Sequence, residues 1–244
     1  MMKNQTIKTM LHEMQDVVEN NILRFWLDRM QDHENGGFYG RIDADEVLHK
    51  DAEKGAILNA RILWSFSAAY RVLGKREYLE ASRRAYEYFL DHFIDPDYGG
   101  VYWSVDYKGR PLDTKKQFYA IGFAIYGLSE YARATGDREA LDYAISLYEC
   151  IEEHAFDREH NGYIEACTRE WGEMADMRLW TLMPTIPSRR TPICTSSSPI
   201  RTSIAAFARC RRQPRATMCR CWVPWIAFVI EALKWLLFVM NVIL

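Results

Sequence analysis

The sequence has no basic excess, because its 244 residues hold 31 Lys and Arg against 33 Asp and Glu, and it is not predicted to bind nucleic acid. No apolar run follows the basic residues at its start, so no signal peptide is readable and we expect a cytoplasmic protein. Six cysteines in a chain of this length do not indicate a disulfide scaffold. Residues 1–179 contain neither Cys-x-x-Cys nor His-Glu-x-x-His, and no metal site is predicted.

Glycine, tyrosine and histidine are missing from residues 181–244, and the only acid after position 179 is Glu231. Nine Lys and Arg give residues 180–244 a net charge of +8. Residues 1–179 hold 22 Lys and Arg against 32 Asp and Glu, a net charge of −10. Two compositions therefore meet near Leu179. We predict one domain over residues 1–179 and assign no domain to the tail, residues 180–244.

The body of the chain contains an internal repeat. Nine residues recur without a gap 62 positions later: Gly74, Arg76, Glu77, Leu79, Tyr86, Glu87, His92, Asp95 and Gly100 match Gly136, Arg138, Glu139, Leu141, Tyr148, Glu149, His154, Asp157 and Gly162. A glycine turn near residues 32–40 precedes the first of these units. Repeated units of this kind bury their apolar faces by stacking on their neighbours.

Each repeat unit is predicted to hold two helices, one amphipathic and one enclosed. Apolar residues at three- and four-residue steps mark the amphipathic helix, whereas the enclosed helix is apolar on more sides. We predict helices at 7–30, 54–73, 76–94, 114–135 and 137–154. Long aromatic connections with Gly-Gly turns favour a closed toroid over an open superhelix. The expected fold is all-α, a partial (α/α)6 barrel with about three of its six hairpins.

Arg61 is the first candidate for chemistry, because it lies in an otherwise apolar helix where an unpaired cation is costly. It either forms a structural ion pair or stabilises negative charge on a substrate oxygen. Tyr119, at the start of the next enclosed helix, is either a core anchor or a sugar-stacking residue, as are Tyr39, Tyr102 and Trp103 after the glycine turns. The recurring acids Asp32, Asp95 and Asp157 are predicted to stabilise turns.

Five motifs in this spacing carry a family resemblance: GGFYG, KGAILNARILWSFSAAYRVLG, DYGGVYW, KKQFYAIGFAIYGLSEYARATGD and NGYIEA. Over residues 7–179 the chain resembles the N-acylglucosamine 2-epimerase superfamily, and within it the cellobiose 2-epimerases. The resemblance implies an (α/α)6 barrel and cofactor-free epimerisation at C2 of a small reducing sugar through an enediolate. Arg61 matches the arginine that steadies the enediolate oxygens, and Tyr119 matches a tyrosine that contacts the sugar.

The resemblance also implies that something is missing. The family's catalytic histidines lie further along the chain, but this sequence has no histidine after His160. We therefore predict an inactive protein whose half-toroid exposes apolar faces and aggregates.

The tail has two interpretations. A shifted reading frame turns the Trp180–Thr181 junction into aspartate and the Met183–Pro184 junction into alanine, both of which suit the family pattern, so we hypothesise a frameshift near codon 180. Resequencing the gene there tests this. The rival interpretation is a membrane anchor at residues 225–244, which we disfavour because Glu231 and Lys234 would lie inside it.

Four other functions stay open at this point. N-acylglucosamine 2-epimerases and mannose isomerases share the barrel, so the sugar is not fixed. An inverting toroid glycosidase would need two carboxylates about 6.5–9.5 Å apart across a cleft. A hairpin-repeat binding scaffold would need no catalytic groups at all.

Overall fold

The computed structural model describes residues 2–157, 162–174 and 179–180. The hypothesised frameshift, the apolar segment 225–244 and His160 lie outside these residues, and the tail after Trp180 stays a prediction.

Helices make up most of the described chain, as predicted. They are α1 (Met2–Val17), a π-helical turn (Val18–Leu23), α2 (Arg24–Arg29), α3 (Ala56–Leu73), α4 (Arg76–Phe93), α5 (Phe118–Thr135) and α6 (Arg138–His154). The predicted first helix, 7–30, is thus one helical run interrupted by the π-helical turn. The described residues also form eight short strands. Four lie between helices: β1 (Lys54–Gly55), β2 (Ser104–Val105), β3 (Pro111–Asp113) and β4 (Lys116–Gln117). Four follow α6: β5 (Phe156–Asp157), β6 (Gly162–Ile164), β7 (Ala166–Cys167) and β8 (Leu179–Trp180).

Two glycines end the enclosed helices in the same way. Gly74 after α3 and Gly136 after α5 have φ of 69° and 79°, the left-handed conformation that glycine adopts at no steric cost. Each donates its N–H to a carbonyl four residues earlier, at 2.8 Å in both cases. The two helix ends are 62 residues apart, so the sequence repeat is also a structural repeat.

The helices form two layers. The enclosed helices α3 and α5 pack against each other, α4 packs on α3, and α6 packs on α5. Nearly all residues of α3 and α5 are buried or half-buried, whereas α4 and α6 each expose one face. The predicted alternation of amphipathic and enclosed helices is confirmed.

The strands join the hairpins at one end of the helices. β1, β2 and β3 form an antiparallel sheet, β4 pairs with β7, and β6 lies between β5 and β8. The helix predicted from residue 114 begins instead at Phe118, and the one predicted from 54 begins at Ala56. In both places the preceding residues are extended, because their backbone pairs with a neighbouring strand.

A buried serine pair distinguishes the first repeat unit from the second. The Oγ atoms of Ser67 on α3 and Ser82 on α4 lie 2.7 Å apart, and the Ser67 hydroxyl also contacts the carbonyl of Leu63 at 2.6 Å. Ser129 lies 62 residues after Ser67, but Ala144 replaces the second serine. Within the described chain, the buried Ser129 hydroxyl has no hydrogen-bond partner.

This difference predicts that a serine-to-alanine substitution affects the free energy of unfolding differently in the two repeat units. S67A should lower the free energy of unfolding by about 1–2 kcal/mol, because it leaves the Ser82 hydroxyl buried without its partner. S129A should leave that free energy unchanged or raise it slightly, because it removes a buried hydroxyl that forms no bond. Urea denaturation followed by far-UV circular dichroism measures both. Equal losses for the two variants would contradict the prediction.

Candidate active site

A buried lysine precedes each inner helix and pairs with an aspartate of a glycine turn. Lys54 donates to Asp32 Oδ2 at 2.8 Å, and Lys116 donates to Asp95 Oδ2 at 2.7 Å. All four side chains are fully buried. The other oxygen of each aspartate accepts backbone N–H groups of its own turn, from Glu34 at 3.0 Å and from Asp97 at 3.0 Å. The turn role predicted for Asp32 and Asp95 is confirmed, and the ion pairs add a second role.

These ion pairs connect the outer layer to the inner one. Asp32 lies three residues after α2 and Asp95 two residues after α4, and each lysine lies two residues before an inner helix. Buried charges are stable only when they are paired and hydrogen-bonded. The pairs therefore fix where α3 and α5 begin, and with them the side chains on their first turns.

Arg169 adds a third charge to the second pair. Its guanidinium donates to both oxygens of Asp95, at 2.9 Å and 3.0 Å, and also to Asp97 at 2.6 Å. Burial tends to raise the pKa of Asp95, but the hydrogen bonds from Arg169 and Lys116 outweigh it and hold that pKa well below its usual range.

The depressed pKa of Asp95 predicts how stability depends on pH. A carboxyl group whose pKa is lower in the folded state stabilises the fold above its unfolded-state pKa, near 4, and loses that contribution as the pH falls further. R169Q should raise the folded-state pKa of Asp95, so acid unfolding should begin about one pH unit higher. The midpoint of acid unfolding measures this. R76Q, which alters an exposed ion pair, is the control and should leave the midpoint in place.

Arg61 and Tyr119 meet on the face of the inner helices. The Arg61 guanidinium on α3 lies 4.5 Å from the centre of the Phe123 ring on α5, and the Tyr119 side chain is close enough to interact with it electrostatically. Burial lowers the pKa of Arg61, and the two neighbouring tyrosines, Tyr119 and Tyr126, oppose that shift. An arginine stays protonated in such a place. The result is a fixed positive charge in a partly desolvated, aromatic setting.

The aromatic residues Trp64, Phe123 and Tyr126 complete this arrangement. We call it the inner-helix cluster, and its members are Arg61, Trp64, Tyr119, Phe123 and Tyr126. The Trp64 and Tyr126 rings stack at 4.9 Å with an angle of 12° between their planes. The Tyr119 and Phe123 rings meet edge to face at 4.9 Å. Members on one helix are three or four residues apart, which places them on one side of it. All five are half-buried.

The sequence analysis did not single out Trp64, Phe123 or Tyr126, although the 62-residue repeat relates two of them to Arg61 and Trp64. Phe123 stands 62 positions after Arg61, and Tyr126 stands 62 positions after Trp64. The cluster therefore forms where equivalent positions of the two repeat units carry different side chains and contact each other. Tyr39 and Tyr102, the other tyrosines considered for sugar stacking, are buried in the core. Trp103 is half-buried, with the Lys115 ammonium 4.9 Å from its ring centre.

Two surface depressions of the described chain lie away from the cluster. One is between α2 and α4 and the other is beside Tyr86 and Tyr131, and neither is lined by Arg61 or Tyr119.

Three of the described histidines have partners outside the cluster, and the described residues hold no metal-binding group. Of the histidines in residues 9–157, His92 hydrogen-bonds with the carbonyl of Gly109, His49 with Asp43, and His154 stacks on Trp171, all away from the cluster. The described residues contain no group of three or more His, Cys, Asp or Glu that could hold a metal ion. They also contain no helix long and apolar enough to span a membrane.

The family model for N-acylglucosamine 2-epimerase (GlcNAc 2-epimerase) matches residues 37–183, more than half of the chain. The chain belongs to this family. The resemblance seen in the sequence is confirmed, and the match includes both Arg61 and Tyr119.

Relatives and solved structures point to one group within the family. The cellobiose 2-epimerase of Bacteroides fragilis is 64% identical over 167 residues, which are 68% of this chain and 43% of the relative. That of Ruminococcus albus is 47% identical, over 66% of this chain and 41% of the relative. The structure of cellobiose 2-epimerase from Bacillus thermoamylovorans aligns with a TM-score of 0.67 and 47% identity, covering 69% of this chain and 43% of that one.

This chain therefore spans less than half the length of the relatives it matches. The solved epimerases confirm the predicted partial (α/α)6 barrel. A D-mannose isomerase structure, with a TM-score of 0.57 and 23% identity, shares the fold alone.

Proposed function

We propose that residues 1–179 are the N-terminal half of a sugar 2-epimerase of the cellobiose 2-epimerase type. The observation that carries the proposal is the inner-helix cluster, in which a cation lies among aromatic side chains on the inner layer. Aromatic faces suit the apolar face of a pyranose, and a partly desolvated cation suits an oxygen that gains negative charge. The relatives' names favour a reducing disaccharide as the substrate.

The proposed reaction opens the sugar ring and removes the proton from C2. The electrons of the C2–H bond move into the C1–C2 bond, and the carbonyl oxygen gains the negative charge of an enediolate. A proton returned to the opposite face of C2 completes the inversion. Arg61 would stabilise the enediolate oxygens, and the Tyr119 hydroxyl would position the sugar through a hydrogen bond.

Two proton-transfer groups are needed, one on each face of the sugar. His49, His92 and His154 have partners outside the cluster, and the sequence has no histidine after His160. We therefore propose that this chain alone is inactive. Incubated with cellobiose in deuterium oxide, it should place no deuterium at C2 of the reducing glucose, as followed by proton NMR. Incorporation above the protein-free rate would contradict the proposal.

A chimera gives the positive test. Residues 1–179 are joined to the C-terminal part of the Bacteroides fragilis relative, which follows the segment matched here. The chimera should convert cellobiose to its C2 epimer, and R61M should lower kcat by about a hundredfold or more. The matched control is R71M, which removes another cation of α3, one paired with Glu130. R71M should leave kcat within about twofold, and equal losses would contradict the role of Arg61.

The substrate series separates the alternatives within the family. N-acylglucosamine 2-epimerase of Bos taurus and D-mannose isomerase of Marinomonas mediterranea are 25% and 24% identical to this chain, well below the cellobiose 2-epimerases. The chimera should therefore prefer cellobiose over N-acetylglucosamine and mannose in kcat/KM. A preference for either monosaccharide would reassign the substrate but not the reaction.

A further inference from the structure

The stacked rings of Trp64 and Tyr126 follow the Arg61–Phe123 contact by one helical turn. Trp64 is three residues after Arg61 on α3, and Tyr126 is three residues after Phe123 on α5, so each lies on the same side of its helix. Long side chains on a helix lean toward its N-terminus, which brings both rings back toward the guanidinium. The Phe123 and Tyr126 rings meet edge to face at 6.5 Å. The stacked rings thus bridge α3 and α5 beneath the Arg61–Phe123 contact.

Neither ring supplies a base for the proposed reaction. The indole of Trp64 only donates hydrogen bonds. Burial raises the pKa of the Tyr126 hydroxyl above its ordinary value, Glu130 adds to that shift, and the charge of Arg61 only partly opposes it. Tyr126 therefore stays neutral near pH 7. The two rings lie 4.9 Å apart and nearly parallel, so each covers a face of the other that a sugar would otherwise use.

Stability alone does not account for the indole of Trp64. Its Nε1 atom is buried and has no hydrogen-bond partner among the described residues. A buried donor without a partner costs free energy that leucine or phenylalanine at this position would not incur. A wide, flat ring at this position therefore points to a requirement other than stability.

The Arg61 guanidinium needs more than the Phe123 ring to stay in place. An arginine side chain turns about several bonds and loses much rotational freedom when it is fixed. A cation above one aromatic ring gains only a modest attraction. The Tyr126 side chain is close enough to Arg61 to interact with it electrostatically, and Trp64 holds the Tyr126 ring from the other helix. Contacts from both helices thus limit where the guanidinium can turn.

We propose that Trp64 and Tyr126 are positioning residues, whose stacked rings hold the Arg61 guanidinium over the Phe123 ring. The inference rests on the proposed function, in which Arg61 stabilises the enediolate oxygens. An enediolate gains its charge only as the reaction proceeds, so a misplaced guanidinium lowers kcat more than it weakens sugar binding. The two rings thus contribute to catalysis through Arg61, without contacting the sugar themselves.

The first test measures kcat and KM of the chimera that carries residues 1–179. W64L and Y126L remove the stacking and should lower kcat by about tenfold or more, with KM within about twofold of its original value. W64F and Y126F keep a ring at each position and should retain kcat within about threefold. A rise in KM with kcat unchanged would identify the rings as sugar contacts and overturn the proposal.

A double variant separates positioning from a general loss of structure. Without the Arg61 guanidinium the rings have nothing to hold, so R61M/Y126L should have the kcat of R61M within about twofold. A kcat below that of R61M by the whole factor that Y126L costs alone would show an effect independent of Arg61. That result would overturn the proposal.

The second test needs no activity and uses the full 244-residue chain. Phenylglyoxal modifies guanidinium groups, and mass spectrometry of the resulting peptides gives the rate at each arginine. Y126L should raise the rate at Arg61 by about threefold or more, because the guanidinium leaves the Phe123 ring, whereas Y126F should not. Arg84, a half-buried arginine of α4 that donates to the carbonyl of Gly37, is the control and should keep its rate.

The rates at Arg61 and Arg84 also decide against the proposal where it is wrong. An unchanged rate at Arg61 would show that the rings do not hold the guanidinium, and an equal rise at Arg84 would show a general loosening of the fold. If the chimera is inactive while Y126L still exposes Arg61, the proposed function fails and the positioning of the guanidinium stands.

Discussion

D32N should lower the free energy of unfolding by about 3–5 kcal/mol, because it leaves the Lys54 ammonium buried without its counter-charge. Lys54 and Asp32 are both fully buried, and their contact is 2.8 Å long. The remaining acceptor on Lys54 is the carbonyl of Gly36 at 2.9 Å, which is neutral. Urea denaturation of the chain at low concentration measures the loss.

The exposed pair Arg76–Glu80 is the control for D32N. Its side chains are 90% and 62% exposed, so E80Q should change the free energy of unfolding by less than about 1 kcal/mol. A loss for D32N no larger than for E80Q would show that the buried pair contributes little.

The repeat supplies a second comparison. K54M leaves the buried Asp32 carboxylate without its counter-charge, whereas K116M leaves Asp95 paired with the Arg169 guanidinium. We therefore expect K54M to destabilise the chain more than K116M does. The reverse order would contradict this account of the two pairs.

The repeat explains why much of the fold could be predicted. Two units at a constant offset define the helices, the glycines that end them and the alternation of layers. The starts of α3 and α5 could not be predicted as well, because residues 114–117 carry no signal that opposes a helix. Strand pairing and the buried Lys116 ion pair, both of which are tertiary contacts, keep these residues extended.

The candidate site could be predicted only in part, for a related reason. Arg61 stood out because a cation in an apolar helix is costly, and Tyr119 because of the family resemblance. Their proximity depends on α3 and α5 packing side by side, which the sequence does not specify. Phe123 and Trp64 look like ordinary core residues in the sequence, but that packing brings Phe123 to the guanidinium and stacks Trp64 on Tyr126. Their roles toward a sugar stay proposals.

The close approach of α3 and α5 leads to the last prediction. A Cβ atom at Gly127 would lie 2.6 Å from the carbonyl oxygen of Ala60, a backbone atom that cannot turn aside. G127V should therefore force the two inner helices apart and lower the free energy of unfolding by about 3 kcal/mol. Ala60 directly precedes Arg61, so the guanidinium should also move off the Phe123 ring.

Gly55 is the control for Gly127, because it directly precedes α3, the helix that Gly127 of α5 approaches at Ala60. A Cβ atom there meets nothing within 4 Å, and its backbone is extended, with φ of −88°. G55V should therefore cost less than about 1 kcal/mol, mostly at the helix start. Urea denaturation compares the two variants, and near-UV circular dichroism reports the aromatic cluster. Equal stabilities with an unchanged aromatic spectrum would show that the inner helices tolerate a wider separation and that Gly127 is not what brings them together.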